Sequence, residues 1–164
     1  MKRRNFIKFA TVCSVLFTSN ISIARNIPSD TLNVLDEVYN ILFPKTSTMP
    51  SAREFGAVEF LVKNINHKSF DDYDKTLVLD GARDFHNSFP EFLTISQKEK
   101  SQIIHDIVNS NDYAQSWLSK LIYYGFEALL ADPIYGGNKN QVGWNSVNHK
   151  IGYPRPKLTY GQKV

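Results

Sequence analysis

Apolar positions recur at helical spacing from Ser29 onward, and no stretch alternates with the period of two that marks a strand. Leu32, Leu35, Tyr39 and Leu42 form a first stripe, opened by Ser29 or Asp30 behind Pro28 and stopped by Pro44. A second, Phe55, Val58, Val62 and Ile65, follows a start at Pro50-Ser51. A third, less regular, runs from about Phe70 to Phe89, where Pro90 ends it. The fourth begins at Ser96, with Glu99 placed to complete a capping box, and sets Ile103, Ile104, Ile107 and Val108 on one face. From Trp117 to Ala131 only Ser119, Lys120 and Glu127 interrupt an apolar surface, so the fifth helix needs cover on every side. It is either the central helix of the fold, the reading preferred for the helix alone, or a helix with one face against another protein. The pattern predicts an all-α protein, about five helices in a bundle over residues 25–131.

After Asp132-Pro133 the periodicity stops, and residues 132–164 are punctuated by Pro133, Pro154 and Pro156 and by Gly136, Gly137, Gly143, Gly152 and Gly161. A disordered tail is poor in aromatic residues, whereas this one carries Tyr135, Trp144, Tyr153 and Tyr160. Such rings on a long irregular arm act as anchors that enter pockets, on a partner or on the chain's own bundle. The expectation is an extended, partner-binding C-terminal arm.

The first 24 residues have the three parts of an export signal: Lys2-Arg3-Arg4-Asn5-Phe6-Ile7-Lys8, an apolar run from Phe9 to Phe17, and Ser22-Ile23-Ala24 before the cleavage point. The apolar run is about half the roughly 20 residues a membrane span needs. Arg3 and Arg4 before Phe6, Ile7 and Lys8 resemble the twin-arginine class, which carries already folded chains. A small domain without a cofactor motif has no evident need of that route for itself, which points to a bound partner as the cargo.

Removing the leader changes the charge. Lys+Arg falls from 19 to 15 against 16 acids, a formal balance of −1, which leaves no basic stripe for nucleic acid. The single cysteine, Cys13, goes with it, so the mature chain makes no disulfide and offers no thiolate to zinc or to an iron–sulfur cluster. His67, His86, His105 and His149 fall in no paired ligand spacing. Asp71, Asp72 and Asp74 lack the glycine and distal glutamate of a calcium loop and read as the acidic first turn of the third helix. Gly136-Gly137 follows a helix rather than a strand and reads as a tight turn, not a nucleotide loop. Neither catalytic residues nor cofactor or metal ligands are expected.

Asp132-Pro133-Ile134-Tyr135-Gly136-Gly137-Asn138, then Val142-Gly143-Trp144, then Ile151-Gly152-Tyr153-Pro154, resemble the C-terminal signature of the gluconate 2-dehydrogenase subunit 3 family. Ile41-Leu42-Phe43-Pro44, Pro50-Ser51-Ala52 and Gly56-Ala57-Val58 extend the resemblance upstream. Two features depart from it: Ser51 where the family usually has glycine, and a longer spacer from Asn145 to Lys150. The resemblance implies an accessory small subunit that does no chemistry, in a periplasmic complex associated with the membrane. A large subunit would hold FAD and oxidise a sugar or sugar acid, and a multihaem cytochrome c subunit, with haem c, would pass on the electrons. The small subunit would help the flavoprotein mature and take it to the twin-arginine translocase. It would bind its partner through Asp132, Pro133, Tyr135, Gly136, Gly137, Asn138, Gly143, Trp144, Gly152, Tyr153 and Pro154. The alternative from another class is a free-standing periplasmic helical domain that binds a small molecule or catalyses weakly through His149 and Asp132.

Overall fold

A computed structural model describes residues 27–109 and 111–158. The leader, with Arg3, Arg4, Phe6, Ile7 and Lys8, lies outside the described residues. Among those described the protein is all-helical, with α1 (Ser29–Leu42), α2 (Ala52–Phe55), α3 (Ala57–Asn64), α4 (Asp72–Ser88), α5 (Gln97–Val108), α6 (Asp112–Leu130) and α7 (Val142–Ser146). Two 3-10 turns, Pro133–Tyr135 and Lys139–Gln141, precede α7. The expected five helices become seven for two local reasons. Gly56 takes a left-handed φ of 79° and divides the second helix into α2 and α3, and the arm contains α7.

The chain divides into two compact units: residues through Val38 with Asp72–Lys120, and Tyr39–Asp71 with the chain from Leu121 onward. In the first, Val34, Leu35 and Val38 of α1, Val78, Ala82 and Phe85 of α4, Ile107 of α5 and Trp117 of α6 are fully buried. Phe85 is the hub, with Phe92 edge-on at 4.7 Å, Phe89 at 5.1 Å and Trp117 at 5.4 Å between ring centroids. The Trp117 indole N–H donates to the Val78 carbonyl at 3.3 Å, which satisfies the one polar group of a ring that has left water. Ion pairs Lys100–Glu37 (2.7 Å) and Lys120–Asp74 (2.8 Å) join α5 to α1 and α6 to α4. The capping box expected at Ser96 and Glu99 is present.

The second unit opens with a capping box that sequence reading missed: Ser51 accepts from the Glu54 N–H, and the Glu54 carboxylate accepts from the Ser51 N–H at 2.7 Å. The serine at the departure from the family pattern thus caps α2. Phe43 packs edge-on against Phe55 (5.6 Å) and Phe126 (5.4 Å). Of the predicted stripe Phe55, Val58, Val62, Ile65, the ends Phe55 and Ile65 are buried, but the Gly56 break resets the helical phase between them: Phe60, Leu61 and Asn64 are buried, while Val58 and Val62 are half-buried. In α1 the buried apolar set is likewise Val34, Leu35, Val38 and Tyr39, with Leu32 and Leu42 only half-buried.

Candidate functional site

An α-helix leaves its last four carbonyls without intrahelical donors. In α6 these belong to the stretch Glu127 to Leu130 and its continuation Ala131, and the chain that follows supplies most of the missing donors. The Asn138 N–H reaches the Ala128 carbonyl at 2.6 Å, and its side-chain Nδ2 donates to the Ala131 carbonyl at 3.1 Å. The Trp144 indole N–H donates to the Leu130 carbonyl at 2.7 Å. The signature at the start of the arm is therefore a capping device for its own preceding helix.

Each residue of the signature has a physical task in that device. Asp132 accepts from the Ile134 N–H at 3.1 Å, and Pro133 opens the first 3-10 turn, where a missing N–H costs nothing. Gly136 ends that turn at φ 97°. Gly137 lies against the backbone of Ala128, where a Cβ would stand 2.8 Å from its Cα. Asn138, fully buried, holds φ 46° and accepts from the Gly143 N–H through Oδ1 at 2.9 Å. Asparagine is suited to both requirements, since it tolerates the left-handed region and its amide both donates and accepts. Gly143 is pressed onto the Leu129 carbonyl so closely that no Cβ fits.

Two residues outside the recognised stretch hold the turn from α3. Lys63 Nζ donates to the Ile134 carbonyl at 2.9 Å, and Asn64 Nδ2 to the Tyr135 carbonyl at 2.9 Å. Lys139 pairs with Glu59 at 2.6 Å; burial is the largest single influence and pushes the Glu59 carboxyl up, but the bond to Lys139, a backbone hydrogen bond and the Lys139 charge together leave it lowered. Arg155 makes a two-pronged pair with Asp132, at 2.9 Å and 2.8 Å, and its guanidinium lies 5.0 Å from the Trp144 ring centre. His149 lies on the same ring at 5.1 Å. Lys63, Asn64 and Arg155 carried no signal in the sequence, because each acts across a separation that no local pattern encodes.

The expected arm is thus not extended through its first half, and Trp144, 7 % exposed, is buried by its own chain. Beyond α7 the character changes: Gly152, Tyr153 and Pro154 are exposed, Tyr153 at 85 %. The fifth helix also differs from the central-helix reading. Leu121, Tyr124, Ala128 and Leu129 of α6 are buried, whereas Ile122, Tyr123, Phe126 and Leu130 are exposed. Glu127 is half-buried near Tyr39, whose hydroxyl is buried without a hydrogen-bond partner among the described residues. Burial, reinforced by the Glu127 charge, raises the Tyr39 phenol above its ordinary range.

The family model for gluconate 2-dehydrogenase subunit 3 matches residues 29–152. The chain belongs to this family. No curated protein and no solved structure matches it. The gluconate 2-dehydrogenase subunit 3 match begins at the first residue of α1 and ends at Gly152, and so takes in the whole capping device. As a member of a family named for a dehydrogenase subunit, the chain is part of a multi-subunit complex. No described helix is long and apolar enough to cross a membrane, and the described residues hold no group of three or more potential metal-binding side chains.

Proposed function

We propose that this subunit 3 is the non-catalytic small subunit of a periplasmic, FAD-dependent gluconate 2-dehydrogenase-like complex, and that it is needed for maturation and twin-arginine export of the large flavoprotein. FAD belongs to the large subunit and haem c to a cytochrome c subunit; this chain meets the flavoprotein through the α6 face and the exposed end of its arm, and brings it to the translocase. The observation that carries the reading is the exposed apolar face of α6 in a chain whose family is that of a complex subunit. A helix face of Ile122, Phe126 and Leu130 left to water in an isolated chain is what a subunit presents to its partner. The basic, twin-arginine-like leader supports the export half of the proposal.

Replacing Arg3 and Arg4 together by Lys tests it in cells that express the whole complex. Fractionation is expected to find both this chain and the flavoprotein stranded in the cytoplasm. A flavoprotein that still reaches the periplasm refutes the escort role.

A further inference from the structure

Apolar exposure and charge are unevenly divided between the two units. Of the large apolar side chains exposed among the described residues, only Tyr73 lies in the first unit; Ile122, Tyr123, Phe126, Leu130, Val147, Tyr153 and Leu158 lie in the second. The described residues of the first unit carry 11 Asp and Glu against 5 Lys and Arg, a balance of −6. Those of the second carry 5 against 8, a balance of +3. The asymmetry is sharpest past Asp132, where no acidic residue occurs up to Val164 while Lys139, Lys150, Arg155, Lys157 and Lys163 do.

Ile122, Phe126 and Leu130, spaced four apart, share one face of α6, exposed at 39 %, 51 % and 43 %. Trp144 ties α7 to the same end of the helix through the Leu130 carbonyl, and Val147, exposed at 50 %, follows directly. The exposed lysines Lys150 and Lys157 stand on the chain beyond, either side of Tyr153. Arg155, on Asp132 and over the Trp144 ring, holds this stretch at that end of α6, so the apolar face has a basic rim there; an apolar centre with such a rim is the layout of a protein interface, and the rim sets the sign of what it meets.

Building on the subunit reading above, we infer that this face of the second unit is where the large flavoprotein docks, and that the receiving surface is an apolar cleft bordered by carboxylates. The acid-free arm steers the encounter and the α6 face supplies the hold. The first unit, acidic and with little exposed apolar surface, lacks both features.

The test uses the full complex with two double variants. Ile122→Glu with Leu130→Glu places charge in the apolar centre and leaves Phe126, which packs on Phe43, untouched. Lys150→Glu with Lys157→Glu reverses the rim on exposed residues that carry no core packing. The first is expected to weaken association with the flavoprotein by roughly 30-fold or more, with the circular dichroism spectrum unchanged. The second is expected to slow association about tenfold at low salt and to flatten its salt dependence. Glu91→Lys in the first unit is expected to leave both unchanged. Wild-type binding by both double variants, or Glu91→Lys weakening association as much as they do, overturns the inference while leaving the subunit reading intact. So does retained flavoprotein binding with lost binding to vesicles containing anionic phosphatidylglycerol, which would assign the face to lipid. A wild-type chain that fails to bind the flavoprotein overturns the inference together with the subunit reading.

Discussion

Asn138→Ala is the sharpest perturbation of the device that closes α6. It removes two side-chain bonds, to the Ala131 carbonyl and from the Gly143 N–H. Each is worth about 1 kcal/mol net, and the buried Gly143 N–H, left without an acceptor, adds about 1–3 kcal/mol of desolvation. Alanine at φ 46° adds roughly 1 kcal/mol more, because it has a Cβ without the short polar side chain that lets asparagine tolerate the left-handed region. The expected loss is about 4–6 kcal/mol, a large part of the stability of a small protein. Asn138→Gly loses the same bonds without the Cβ penalty, so it should be about 1 kcal/mol less damaging than alanine. Urea titration of the mature chain, followed by circular dichroism, gives both differences. Alanine and glycine variants with the same midpoint would refute the backbone half of the reasoning. Losses below about 0.5 kcal/mol in both would show that the cap does not hold the helix.

Gly143→Ala should cost about 1–3 kcal/mol in the same titration, since its Cβ would meet the Leu129 carbonyl and backbone cannot step aside as a side chain does; Gly152→Ala, with open space around it, is the silent control. The Lys45 ammonium and the Ser51 N–H hold the Glu54 carboxyl down, from 4.5 to about 2. A lowered carboxyl stabilises the fold above its unfolded value and loses that contribution as pH falls through its folded value, so wild type should exceed Glu54→Gln in stability at neutral pH and converge on it between pH 4.5 and about 2. Thermal midpoints across that window check the sign, and a gap that stays constant with pH contradicts it.

Helix placement was legible where the chain carries its own punctuation. Pro44 and Pro90 mark stops, and Ser96 with Glu99 marks a start, because each acts within a turn or so of its neighbours. Gly56 defeated the same reading: a single left-handed residue costs no apolar positions, yet it turns the face of everything after it, so Val62 yields its place to Leu61 and Asn64. The arm was misread as extended because its order comes from long-range bonds. Nothing in the local spacing of Asn138 and Trp144 announces that their donors belong to carbonyls at the end of α6, or that Lys63 and Asn64 will hold the turn. The all-round apolar sequence of α6 was equally ambiguous. Composition required that its faces be covered, and only the structure distinguishes those covered by the chain itself, such as Leu121 and Leu129, from those left outward, such as Phe126 and Leu130.

That α6 is closed by residues 138–144 has a consequence for the order of events in the cell. Synthesis runs from the N-terminus to the arm, so the leader, an export address under the proposed function, is made first and the lock on the longest helix nearly last. Until Asn138 and then Trp144 have emerged and turned back, the carbonyls of Ala131 and Leu130 lack these donors and the end of the helix frays. A chain cut short anywhere before that point has the leader but lacks the closure, and under the proposed export role a translocase that accepts only folded cargo would meet it as unfinished.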